Sequence, residues 1–451
     1  MREVETFLNW LNGYLWGPPM LILLFGTHIF LTLRLRLIQR FIPLGIKISL
    51  RRSSEGEGDV SQFGALTTSL AATIGTGNIV GVATAVAIGG PGAVLWTWLT
   101  GVFGIATKYS EALLGVKYRV RTSDGTMLGG PMCALEHGLR MKWAGMIFAA
   151  FTAVAAIGIG NMVQSNAISS MASEVAKVPP WISGVLLTLL TGVVILGGIK
   201  SIARVCERLV PFMAIFYMLG CAIILVIGAS TIPAAIALIF KSAFTGQAAA
   251  GGFIGAAIMT TVRHGIAKGV FSNESGLGSA AIVAAAAQTR NPVRQALVSS
   301  TATFWDTVVV CAMTGLVLVN TGAWQSGLQG PALTKAAFDS IPVVGSAVLT
   351  VALLVFVFST ILGWSYYGER AVEYLIGKKG IKPYRWAWVA FVMVGSLTTV
   401  PLVWQFADAA NALMAIPNLV ALLLLSGVLV AETRGHLWQG SSHESMPAIG
   451  D

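Results

Sequence analysis

The chain has 451 residues, 55% of them hydrophobic and 11% charged, with a formal charge of +10. So little charge over so long a chain excludes an ordinary soluble domain, and the positive mean hydropathy points to a membrane. Cys133, Cys206, Cys221 and Cys311 are scattered without a CxxC spacing, which suggests neither a disulfide framework nor a metal site.

The opening "MREVETFLNWLNGYLWG" lacks the basic region, apolar run and cleavage site of a secretory signal, so the first span is expected to be retained. A helix needs about twenty apolar residues to cross roughly 30 Å of hydrocarbon. Windows of that kind predict eleven spans: 14–33, 62–88, 93–116, 147–173, 181–199, 209–228, 252–287, 297–321, 346–376, 386–404 and 407–430. If the loop after the first span is cytoplasmic, 22 of the 29 lysines and arginines fall in inside loops and six outside, with Lys108 within a span. Every inside loop is then basic, which places the N-terminus outside the cell membrane and the C-terminus in the cytoplasm. Topology thus accounts for the basic balance, and the bilayer is the partner it implies; no nucleic acid and no obligatory protein partner is called for. Two long outside segments, 231–252 and 324–342, carry short amphipathic patterns, read either as surface helices capping a vestibule or as plain connections.

Two spans contain residues that a buried helix should avoid. "TIGTGN" (73–78) interrupts the second span near half depth, and "SNESG" (272–276) precedes an alanine run in the seventh. Unwound backbone survives in a bilayer only where protein encloses it or a wet cavity receives it. Freed amides at a half-helix N-terminus attract a carboxylate, while freed carbonyls at the end of the preceding half coordinate a cation. Either glycine cluster alone is equally well read as close packing or a kink; two of them, five spans apart, point to a carrier. "GTGNIVG" has the wrong glycine spacing for a dinucleotide fingerprint, and the chain has no phosphate loop to drive transport with ATP.

The runs "TIGTGNIVGVATAVAIGGPGAVLWTW" (73–98), "GGPM" (129–132) and "GVFSNESGLGSAAIVAAAA" (269–287) strongly resemble the alanine or glycine:cation symporter family, also called sodium:alanine symporters. The resemblance implies an all-α polytopic fold of the LeuT type, two five-helix repeats related by a pseudo-two-fold axis in the membrane plane. The repeats map to 62–228 and 252–430, with an extra N-terminal helix and basic loop in 1–61, a connector in 229–251 and a cytoplasmic tail in 431–451. No internal sequence repeat shows the inverted relation.

The resemblance places substrate beside Thr73, Gly75, Thr76, Gly77 and Asn78. Gly75 and Gly77 would let a carboxylate approach exposed amides, and Thr73 would offer a hydroxyl. On the other break, Phe271 would wall off the methyl side of a small substrate, with Ser272 and Asn273 as polar contacts. By similarity to LeuT-type carriers, the hydroxyls of Ser359 and Thr360 and the carbonyls of Phe356, Ala71 and Ile74 form a sodium site; hydroxyls bonded back to their own helix are the bland alternative. Gln164 is the candidate contact to the ammonium, with Asn161 and Asn166 competing. Trp364 either gates or packs. Glu111, Glu274, Asp306 and Asp408 lie at or near membrane depth, where a charge is costly. Glu274 can bind a helix end, balance an arginine or take a proton; Asp408 reads as a boundary residue or N-cap, and Glu111 as a partner of Lys108 at i,i+3.

The expected function is symport of alanine or glycine with Na+ as coupling ion and no other cofactor. A proton-coupled permease using Glu274 or Glu111 is the alternative. An intramembrane enzyme fits poorly, since His28, His137, His264, His436 and His443 are scattered and no HExxH or GxSxG occurs. Tight glycine turns favour an occluded site over a channel pore.

Overall fold

The computed structural model describes residues 2–51, 56–245, 254–342, 344–398 and 400–439. The end of the expected connector, the start of the second repeat at 252 and most of the tail lie outside these residues. Regular structure is helical apart from one antiparallel hairpin, Val120–Arg121 with Met127–Leu128.

Among the described residues, five continuous helices are long and apolar enough to cross a membrane: Lys142–Ser173, Gly198–Ile227, Pro292–Asn320, Gly345–Ile376 and Trp404–Leu424. Two bent pairs qualify as well, Glu3–Leu15 with Pro18–Arg34 at 48° and Gln62–Thr73 with Gly77–Gly89 at 45°. The first bend has a local cause. Gly17 is extended and Pro18 opens the next helix, where its missing N–H costs nothing. The expected span at 14–33 therefore begins at Pro18, behind a separate helix. The span expected at 386–404 also differs: Ile381–Leu397 stops at an extended Thr398, and Trp404 belongs to the following helix, Val400–Leu424. The segments 231–252 and 324–342 do carry helices, Ile232–Thr245 and Gly330–Phe338.

Ala93–Lys117 lies at the heart of the bundle and packs on Ile254–Asn273 and Pro292–Thr303. Small residues permit the approach: a Cβ on Gly101 would stand 2.6 Å from Thr307 Cγ2, and one on Gly115 2.7 Å from Ala281 O. Peripheral helices turn large apolar side chains outward, as Val185, Leu186, Leu189, Leu190 and Val193 show on Pro180–Ile195, the composition a lipid-facing surface requires.

Candidate functional site: two interrupted helices in contact

The helix Gln62–Thr73 is launched by Ser61, whose Oγ accepts from Gly64 N at 2.8 Å. It ends at an extended Ile74 (ψ 95°), and the chain re-enters helix as a π-turn, Gly77–Gly81, before Val82–Gly89. Between the halves, Gly75 N donates to Asn78 Oδ1 (2.9 Å) and Thr76 N approaches Gln164 Oε1 (3.4 Å). Because these amides leave the helical ladder, Ala71 O and Ala72 O lose their usual i+4 donors. Thr76 Oγ1 is buried without a partner.

The second interruption follows Ile254–Asn273. Glu274, Gly276 and Gly278 take positive φ (57°, 97° and 81°) before Ser279–Ala284 resumes. Ser275 N turns to Asn273 Oδ1 (2.9 Å), while Gly276 N and Gly278 N donate to Glu111 Oε1 at 2.8 and 2.9 Å. The carbonyls of Phe271 and Ser272 thereby lose their i+4 donors. The two breaks touch, since a Cβ on Gly77 would sit 2.8 Å from Ser272 Cα.

The expected sodium ligands come together. Ser359 Oγ lies 2.8 Å from Phe356 O and 3.4 Å from Ala71 O; Thr360 Oγ1 lies 3.0 Å from Phe356 O and 3.3 Å from Ile74 O. The hydroxyls are thus bonded back to their own helix and face the first break at once, so the two readings are not exclusive. Gly75 packs directly on Thr360 Oγ1.

The expected substrate contacts divide. Gly77, Asn78, Ser272 and Gln164 meet at the junction of the breaks. Thr73 Oγ1 donates back to Ser69 O and Leu70 O at 3.1 and 3.3 Å, and the Gly75 amide is taken by Asn78, so the protons of both groups are engaged in this conformation. Asn273 Nδ2 faces Thr100 Oγ1 at 3.5 Å, on the Ala93–Lys117 side. Of the three side-chain amides on Lys142–Ser173, Gln164 reaches the break, while Asn161 and Asn166 donate to Trp388 O and Gly395 O on Ile381–Leu397 and to Thr398 O at its end. Trp364 is buried edge-on to Tyr367 (5.3 Å between centroids), with its Cβ pressed against Gly160. Here it packs.

Phe271 lies over Trp404 at 5.0 Å, with Lys268 above both rings and bonded to Asp408 at 3.0 Å. Lys268, Trp404 and Asp408 line a cavity of about 640 Å³, together with Trp16, Arg263, His264 and Pro331. Asp408 sits within Val400–Leu424 rather than at its N-cap, because the helix begins two turns earlier than expected. On the opposite face, Arg119 donates to the carbonyls of Glu57, Ala285, Ala287 and Thr289 (2.7–2.9 Å), and Gln288 N donates to Val60 O at 2.8 Å. This ties the approach to the first interrupted helix onto the end of the second.

One role escaped the sequence reading, and another matches one of its alternatives. Glu111 forms no ion pair with Lys108; it caps the second break and also accepts from Asn418 Nδ2 at 2.7 Å. Its lone position on an apolar helix was the signal, but nothing local names its partners, since Asn418 lies 307 residues away. Glu274 Oε2 accepts from Ser279 Oγ at 2.5 Å, at the start of the resumed helix, which is the helix-end alternative.

A helical membrane protein whose two interrupted helices meet inside the bundle, with backbone polar groups released from the helical ladder at both breaks, belongs to the class of membrane transporters. The comparisons agree. The chain matches the sodium:alanine symporter family over residues 1–448. It is 51% identical to the sodium/alanine symporter AgcS of Methanococcus maripaludis, over 96% of this chain and 97% of that one. It is also 50% identical to an uncharacterized transporter of Haemophilus influenzae, over 96% of each. The structure of Mhp1, a nucleobase-cation-symport-1 family transporter in a closed conformation, superposes with a TM-score of 0.53 at 14% identity, covering 86% of this chain and 81% of that one; the likeness is one of fold. This chain is therefore a member of the sodium:alanine symporter family, a multi-pass membrane transporter and not an enzyme.

Proposed function

We propose that the protein carries alanine or glycine into the cell together with sodium by alternating access. The observation that carries this reading is the convergence of Ser359 Oγ, Thr360 Oγ1, Phe356 O, Ala71 O and Ile74 O at the end of a broken half-helix. Hard oxygen donors of this kind suit a hard cation, and the half-helix end adds its negative dipole. The substrate carboxylate meets the first amides of the Gly77–Gly89 half, and Gln164 and the released carbonyls of Phe271 and Ser272 receive the ammonium. Close contact between the breaks and the Phe271–Trp404 ring pair favour a small side chain, in keeping with the alanine carriage that the relative's name describes. The bundle comprises eleven spans in two inverted five-helix repeats, with the Arg119 clasp on the cytoplasmic side and the Lys268–Asp408 pair outside, as the distribution of basic residues supports.

Labelled alanine uptake into proteoliposomes under a sodium gradient, a proton gradient or neither tests this. Accumulation with sodium alone is expected; accumulation with protons alone overturns it. The carboxylates a proton carrier would use are engaged at helix ends, Glu274 with Ser279 and Glu111 with Gly276 and Gly278.

A further inference from the structure

The two breaks are joined by one fully buried carboxylate that the symport reading does not employ. Asp306 lies in a π-turn, Phe304–Cys311, within the helix Pro292–Asn320. Its Oδ1 accepts from Asn78 Nδ2 at 2.7 Å and its Oδ2 from Ser272 Oγ at 2.9 Å. Asn78 Oδ1 in turn holds Gly75 N, and Gly75 packs on Thr360 Oγ1. A chain of contacts thus runs from the proposed sodium ligand Thr360, which packs on Gly75, through hydrogen bonds from Gly75 to Asn78, Asp306 and Ser272 on the second break. Thr307 Oγ1 also donates to Asp306 Oδ2, at 2.6 Å, but from the neighbouring residue, so it belongs to neither break.

Burying a carboxylate is costly unless donors satisfy it, and here the donors come from two different interrupted helices at once. An ionised carboxylate can accept from both breaks at once, whereas an alanine side chain offers no acceptor and cuts both links. We infer that Asp306 is a positioning residue that links the two interrupted helices, so that sodium bound beside Thr360 tightens substrate binding at the second break. The inference rests on the proposed sodium site. It assigns Asp306 no contact with either ligand; a change at Gly75 is transmitted because Asn78 cannot follow it without pulling on Asp306.

Two sites linked in this way show a coupling that is measurable as a ratio of affinities. The test is alanine binding to purified protein with and without saturating sodium, in wild type, Asp306→Ala and Thr307→Val. Wild type is expected to gain on the order of 10-fold in alanine affinity from sodium, within the usual range for linked sites. Asp306→Ala should reduce that gain to less than about 2-fold, while Thr307→Val, which cuts a bond to the same carboxylate without cutting the chain, should retain it. If Asp306→Ala does not fold, Ser272→Ala breaks the same chain and is read in the same ratio. A full sodium gain in Asp306→Ala or Ser272→Ala, or its loss in Thr307→Val, overturns the inference. Absence of any sodium gain in wild type would instead overturn the sodium reading on which it rests.

Discussion

Gly75→Ala is the sharpest perturbation of the cation side. The Gly75 backbone is not in the left-handed region, so alanine fits its conformation. Its methyl, however, meets Thr360 Oγ1 directly and comes within 3.3 Å of both Thr360 Cβ and Gln164 Oε1. Thr360 is buried and cannot retreat into solvent. Rotating its χ1 relieves the clash by removing Oγ1 from Ile74 O and Phe356 O, the carbonyls it must share with sodium. Overpacking of this kind costs about 1–3 kcal/mol. Levied on the sodium-bound state, that raises the sodium concentration for half-maximal alanine uptake on the order of 5- to 150-fold. The assay is initial-rate uptake in proteoliposomes over a sodium series. Gly26→Ala serves as control, since its Cβ meets nothing within 4 Å on Pro18–Arg34. An unchanged sodium half-saturation in folded Gly75→Ala would refute the assignment of Thr360.

Three further outcomes are expected. Glu111→Ala strips the cap from Gly276 N and Gly278 N and lowers stability by about 2–3 kcal/mol, read as a lower midpoint of thermal unfolding in detergent; a midpoint equal to wild type would contradict the capping role. Arg119→Ala releases four carbonyls, so a cysteine at the buried position of Val60 should label faster with a soluble thiol reagent than it does behind intact Arg119; Arg119→Lys should not restore protection, because an ammonium lacks the planar fork. In the loop after Ala93–Lys117, Lys378 beside Asp124 holds that carboxyl below its usual range. The stabilisation is therefore present above the ordinary value of 3.8 and lost as pH falls through the depressed one. Because Asp124 is largely exposed, the effect is small and salt-sensitive: Lys378→Ala should lower the unfolding midpoint slightly at neutral pH and leave it unchanged in strong acid or at about 1 M salt.

Apolar windows and glycine clusters made most of the spans and both breaks legible, because a bilayer penalises every departure from apolar helix and so exposes the functional ones. Boundaries were less so. Proline at helix entry moved the first span to Pro18, and an extended Thr398 assigned Trp404 to the next helix. At the site, the cluster of Ala71, Ile74, Phe356, Ser359 and Thr360 was reached through family resemblance, since residues some 288 positions apart share no local signal. The uses of Glu111 and Asp306 were not reached. Their charge marked them as important, but their partners lie on other helices, and Asp306 serves both breaks only because the breaks touch. At Thr73 and Gly75, residue type gave no sign that their protons would be engaged by Ser69, Leu70 and Asn78.

The most direct test of the central claim is simultaneous uptake of radioactive sodium and labelled alanine into the same proteoliposomes. The account predicts that each flux requires the other solute and that their ratio stays fixed as either concentration is varied. Alanine entry that proceeds unchanged without sodium, or sodium entry indifferent to alanine, would contradict it.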